Sequence, residues 1–337
     1  MRFRSPLLAV LALLTASVAL AAEALPEGVR RVQVLNYPDC LELSNGETRV
    51  TLGHHVGGRV LEYEWRGKNA LYLDPAEAKW GTPGGPAAPS SAGRFDIGPE
   101  MIIPKRDKLW AGAWTAEAIG PRAARLTSQP DEATGVQLIR EFRLAAQGTH
   151  LSCEQIIRNV SRETKYWAHW SRTFAVHGGI GIVPLTPEVK RFPNGWIMYA
   201  QGGEPAIQTR PVDPNVRLRG SFVEVLGPPR FPKIGFDSHA GWFAYVMPHG
   251  QAFVKRYASP RDAVYPEAIG MTLCFWYPQA SQVPACELEP HGPRNTISPG
   301  ASASYTEHWH LIEHAFPAAG QSLDLDKLAA QVAREAL

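Results

Sequence analysis
The sequence has little of several things that would narrow its chemistry. It holds four cysteines in 337 residues, Cys40, Cys153, Cys274 and Cys286, and their spacing fits neither a zinc ribbon nor a dithiol redox motif. It contains no G-x-S-x-G elbow, no P-loop and no dinucleotide fingerprint, which removes the serine hydrolases built on that elbow, P-loop kinases and nucleotide-dependent dehydrogenases. Helical periodicity is nearly absent. Excess charge is small, at +2 formally. A nucleic-acid or anionic-membrane partner needs a basic surface, and this composition supplies none.

The opening MRFRSPLLAVLALLTASVALAAEA has the layout of a secretory signal: Arg2 and Arg4, an apolar run from Leu7 to Leu20, and the small-residue site Ala19-Leu20-Ala21. Cleavage after residue 21 removes two of the 34 basic residues and leaves them equal to the 32 acidic ones. A retained anchor is the alternative, although the apolar run is short for a bilayer span. The expected location is periplasmic or secreted. In an oxidising compartment four cysteines allow three pairings, with Cys274–Cys286 the first choice and buried free thiols the alternative.

What is present is a long series of strand-like runs. VQLIREFRLAA, HLSCEQIIRNV, YWAHWSRTF, GWFAYVMP, QAFVKRYA, MTLCFWY and SASYTEHWHLI are rich in β-branched and aromatic residues and are separated by turn residues. In GRVLEYEW, alternation places Leu61, Tyr63 and Trp65 on one face and Glu62 and Glu64 on the other. Many consecutive strands without a repeat or linker predict one β-sandwich domain over 22–337. Residues 74–94, loaded with Pro, Gly, Ala and Ser, read as a flexible surface loop. Residues 322–337 read as the one clear helix, capped by Ser322 or Asp324 and striped by Leu325, Leu328, Val332 and Ala336.

The stretch from Ala285 to Leu311 carries the most chemistry. Glu287 and Glu289, two apart on a strand, share a face, while Cys286 and Leu288 take the other. A Pro299-Gly300 turn leads into a second strand. In the tail, His308 and His310 share a strand face as a zinc-capable pair, but no third ligand at good spacing follows, so no metal is expected.

These landmarks, in order, resemble the galactose mutarotase-like (aldose 1-epimerase-like) superfamily, closest to its DUF4380-type branch. They are the CLELSNGETRVTLGHHVGGRVLEYEWRGKNALY opening, the paired strands from Leu126 to Phe174 around an N-x-S turn, and the ELEP…PG…E-x-W-x-L ending. The resemblance implies an all-β fold, a large antiparallel β-supersandwich with a short C-terminal helix. It implies a mono- or oligosaccharide partner, no cofactor, and ring opening by acid and base. His169 matches the family's acid, and Glu289 its base, with Glu287 as same-face neighbour. Where mutarotases carry an Asn-Arg pair and an LHGG-like histidine, this chain reads SAGRFDIGPEMIIPKRDKLW, which offers Arg94, Asp96 and Glu100 as replacement sugar contacts. Arg172, Lys233, Asp237 and Lys255 complete the candidate binding set. On a regular strand Arg172 faces opposite to His169. Three functions stay open: an exported aldose 1-epimerase-like enzyme, a non-catalytic carbohydrate-binding protein, and a glycan-cleaving hydrolase or lyase using Asp96, Glu100 and Glu289.

Overall fold
The computed structural model describes residues 24–186, 191–199, 207–278 and 284–335. The segment read above as a signal, residues 1–21, and Ala336 lie outside them. Among the described residues, two large antiparallel sheets of 12 and 10 strands dominate. No helix among the described residues is long and apolar enough to cross a membrane.

Alternation explains the packing. In the strand Leu151–Asn159, Leu151, Cys153 and Ile157 are buried, while Ser152, Glu154 and Arg158 face outward. Its neighbour Val136–Leu144 repeats that pattern in register, with Leu151 opposite Leu144 and Ile157 opposite Leu138. The inward faces of both sheets merge into one core that includes Tyr63, Phe142, Phe253, Phe275, Leu288 and Trp309. Fully burying one such side chain contributes roughly 1.5–3 kcal/mol.

The sequence expectations hold for the fold class and need correction in detail. The two strands of the Ala285–Leu311 stretch belong to different sheets. The strand Ala285–Ile297 lies in the larger sheet. After a turn at Gly300, the chain crosses to the strand Ser302–Glu313 of the smaller sheet. In Arg59–Trp65, Leu61 leaves the face of Tyr63. The pairing slips there by one residue, with Thr51 opposite Glu62 but Leu52 opposite Val60, so Leu61 joins a separate apolar cluster.

The segment 74–94 is better anchored than its composition predicts. Asp74 caps a 3-10 helix at Pro75–Lys79. Buried Glu77 accepts hydrogen bonds from Arg59 at 2.9 and 3.1 Å and from Tyr37 at 2.6 Å. The segment ends in the strand Gly93–Gly98.

The terminal helix covers Leu325–Val332, shorter than expected. Asp324 caps it through the Lys327 N–H, whereas Ser322 accepts from Arg217 instead. Leu325, Leu328 and Val332 pack on the outer face of the smaller sheet.

All four cysteines are free and buried. Cys274 and Cys286 cannot pair, because they lie on opposite faces of adjacent strands. Cys274 sits opposite Glu289, while Cys286 shares the core face of Leu288.

Candidate functional site
Six strands of the larger sheet lie side by side in the order Gly93–Gly98, Lys165–Val176, Ala285–Ile297, Leu273–Trp276, Lys233–Phe236 and Trp196–Tyr199. One face of this block belongs to the core. The register puts a different set of side chains on the other. Trp170 is opposite Asp96 on one side and His291 on the other, and Arg172 is opposite Arg94. Glu289 is opposite Cys274 and Glu287 opposite Trp276. Trp276 is opposite Lys233, and Lys233 opposite Tyr199. Glu287, Glu289, Arg172, Asp96, Arg94 and Lys233 therefore share one face. Glu100, just past the first strand, joins them through Lys233.

The charges form a connected array. The Arg172 guanidinium donates through Nε and Nη2 to the two Glu287 oxygens at 3.0 and 3.2 Å. Its Nη1 lies 3.9 Å from Asp96. Arg106 holds Asp96 with a fork of two hydrogen bonds, one of 2.7 Å from Nε. Lys233 Nζ donates to Glu100 at 2.8 Å, with the rings of Trp170, Tyr199 and Trp276 each 5.7–5.8 Å away. Arg172 also lies over Trp110 and Trp170, at 4.9 and 4.5 Å. Such cation–aromatic contacts hold long side chains in place. Buried Arg94 serves the frame: it donates to the carbonyls of Trp110 and Pro89 and stacks on Trp110.

Glu289 is fully buried. The Trp170 indole donates to its Oε2 at 2.6 Å, and its Oε1 has no partner among the described residues. Two residues along, the buried His291 Nε2 is also unpartnered. Burial, and next the charge of Glu287, hold the Glu289 carboxyl well above the usual carboxylate range, against the opposing pull of Lys233 and Arg172. Burial pushes His291 down to about 3, with Lys233 and Arg172 adding to the effect, so its imidazole is neutral. The face thus presents a basic carboxyl oxygen and a neutral imidazole beside two cations. That arrangement suits proton removal from a hydroxyl and stabilisation of developing negative charge. No group of three or more His, Cys, Asp or Glu among the described residues has metal-binding geometry.

Three expected site residues lie elsewhere. His169 points between the sheets: it stacks on Phe95 and Tyr305, and its Nε2 meets the Ala303 carbonyl at 3.1 Å. One residue from Trp170 on the same strand, it takes the core face, so it does not share a pocket with Glu289. Lys255 is also in the core, 3.0 Å from Glu307. Asp237 follows the Lys233 strand, accepts from the Arg191 N–H at 2.6 Å and borders a different cleft. Conversely, Trp170, His291, Trp276, Tyr199, Arg106 and Trp110 were absent from the expected set. The first three share parity with Arg172, Glu289 or Cys274 on recognised strands, and that was the signal for them. Arg106 and Trp110 come from a loop that carries no periodicity.

No protein-family profile matches the sequence, and no curated protein resembles it. Solved structures do. The chain is similar to a galactose mutarotase-like protein from Clostridium acetobutylicum at 11% identity and TM-score 0.57, covering 86% of this chain and 99% of that one. It is similar to one from Lactobacillus casei at 10% identity and TM-score 0.56, covering 81% and 100%. The fold is the galactose mutarotase-like supersandwich. A protein of Escherichia coli K12, provisionally described as an aldose 1-epimerase, gives a TM-score of 0.56 at 12% identity, over 85% of this chain and 100% of that one. At such identity the mutarotase-like likeness concerns architecture, and chemistry has to be argued from the side chains.

Proposed function
We propose that the protein binds a free sugar on this mutarotase-like face and interconverts its anomers, with Glu289 as the base. The observation that carries the reading is the state of Glu289. One carboxylate oxygen is held by Trp170, and the other is buried, unpartnered and raised in basicity. Once the carboxyl is ionised, a hydroxyl placed there satisfies the free oxygen and can lose its proton to it. Mutarotation then needs positive charge where the ring oxygen gathers electrons as its bond to the anomeric carbon breaks. Lys233, held by Glu100, and Arg172, held by Glu287, supply it. His291 offers its neutral Nε2 as a further hydroxyl contact. Exposed indole faces stack well on the apolar side of a pyranose ring, and the half-buried Trp110 and Trp276 frame the face. The N-terminal segment supports export, and so a sugar met outside the cytoplasm.

One observation favours a second reading, a binding protein without catalysis: the histidine expected as acid lies in the core. The deciding experiment is NMR of α/β interconversion of glucose, galactose and glucuronate with wild-type protein and Glu289→Gln. The proposal expects acceleration by the wild type and a loss of about 10²–10⁴-fold in the variant, the range for a positioned acid or base. Sugar-dependent shifts without acceleration establish the binding protein. Acceleration that survives in the variant removes Glu289 as base.

A further inference from the structure
A sugar hydroxyl at Glu289 has to pass a face that is covered as folded. Glu289, Glu287, Asp96, Lys233 and His291 are each at most 2% exposed. The layer over them is partly wet: the side chains of Glu100 and Arg106 are 26% and 19% exposed. Both belong to the connection that follows the strand Gly93–Gly98.

That connection begins with a 3-10 turn at Glu100–Ile102, entered through Pro99. Its two ends are fixed. Gly98 pairs with Ala168 in the sheet, and Ile103 packs half-buried on the core. Between these anchors the apolar hold is slight: Met101 is 81% exposed and Ile102 65%. Polar contacts hold the turn instead. Glu100 reaches Lys233 at 2.8 Å, and its charge is felt at Glu289 and at Cys274. The Glu100 N–H donates to Oε2 of Glu267 at 2.8 Å. Glu267 is itself buried at the start of the turn Ala268–Gly270, where its Oε1 accepts the Ala268 N–H at 3.3 Å. A segment fastened by polar contacts, with its apolar side chains in water, opens at lower free energy than the paired strands beside it.

We infer that Pro99–Ile102 is a lid over Glu289, latched by Glu267; the inference rests on the sugar reading given above. Opening takes the Glu100 carboxylate off Lys233 and into water, which its partial exposure permits. A sugar oxygen then replaces that carboxylate on Lys233, and Glu289 Oε1 receives its hydroxyl. Glu267 touches no reacting atom. It is a positioning residue that sets the fraction of molecules in the open form. Binding that requires the open form is weakened by that fraction, so loosening the latch strengthens it.

The test is modification of the Glu289 carboxyl by a carbodiimide with glycine ethyl ester, read by peptide mass spectrometry on the full chain. Glu307, buried in the core, is the internal control. In wild type, Glu289 should label faster than Glu307, at a rate that low urea leaves unchanged, because the opening is local. Glu267→Ala should speed labelling of Glu289 about tenfold, the worth of one hydrogen bond, and leave Glu307 as it was. Glu267→Gln, which keeps one carbonyl acceptor, should fall between. Glucose binding should tighten in Glu267→Ala by a like factor, whereas a merely structural defect would weaken it. Saturating glucose should protect Glu289. Gated labelling without such protection keeps the lid and removes the sugar reading. Labelling of Glu289 that rises with urea in step with Glu307, or that Glu267→Ala leaves unmoved, overturns the lid. Should Glu267→Ala not fold, the urea dependence of the wild type decides alone.

Discussion

Lys233 and Lys255 are both buried, both paired with a glutamate and both on strands of the same domain, yet their surroundings differ in kind. Lys255 Nζ lies between the sheets, 3.0 Å from Glu307 and within 2.8–3.0 Å of the hydroxyls of Thr173 and Ser171. Glu307 is further held by Gln155 and by the Trp309 indole. The lysine's bonds tie the inner face of the Lys165–Val176 strand to the opposite sheet. Lys233 is held by one carboxylate and three aromatic rings, next to a Glu289 oxygen and a His291 nitrogen that lack partners. A buried polar network that is nearly complete reads as structure. One with open valences reads as a place for something else to bind.

The largest expected effect breaks the core side of this comparison. Lys255→Met strands Glu307 without its cation and should cost about 3–5 kcal/mol in denaturant unfolding. The double variant Lys255→Met/Glu307→Gln should recover much of it. Lys233→Met should cost markedly less, because Glu100 is partly exposed and can be rehydrated, yet it should suppress sugar interconversion. Equal stability losses for the two lysines would erase the distinction.

Acid gives the next effect. Burial holds the His169 imidazole neutral, down to about 4, against 6.5 when unfolded. The unfolded chain therefore takes up a proton first, and stability should fall as pH drops from about 6.5 to about 4, by roughly 3 kcal/mol for this residue. His169→Gln should flatten that part of the curve. The Glu289 carboxyl runs the other way. Its raised pKa means that the unfolded chain ionises first, from about pH 4.5 upward. Stability contributed by the neutral form is lost as pH rises, until the native carboxyl also ionises. Glu289→Gln should remove this slope and leave the protein as stable as wild type, or more stable, at pH 8. The smallest effect sharpens the site: Trp170→Phe deletes one hydrogen bond to Glu289, worth about 0.5–1.5 kcal/mol with the carboxyl neutral. It should slow interconversion more than it lowers unfolding stability.

The strands were legible because apolar and polar residues alternate with a period of two, and their parity carried part of the site. Glu287 and Glu289 do share a face, and Arg172 does oppose His169. What alternation leaves open is which face meets the other sheet, and choosing His169 by its place in the strand order chose the inward one. Lys255 shows that the information was partly available: it alternates with Phe253 and Tyr257, both core residues, and so had to point inward. The loop residues Arg106 and Trp110 were beyond reach, because their positions depend on tertiary packing around Asp96 and Arg172. The same holds for the anchored segment after Asp74, whose composition looks mobile while one buried Arg59–Glu77 pair fixes it.

The four free thiols have a consequence for the life of the molecule. Each is buried, and burial holds every one above its ordinary pKa, so none is a ready nucleophile while the fold is intact. Maturation then needs no oxidant, and reductant should leave the melting point unchanged. An unfolded copy in an oxidising medium is in a different position: it exposes four thiols, and any bridge it forms is foreign to the native state. A single excursion can then become permanent, so in such a medium the working lifetime is set by the rate of unfolding rather than by its equilibrium.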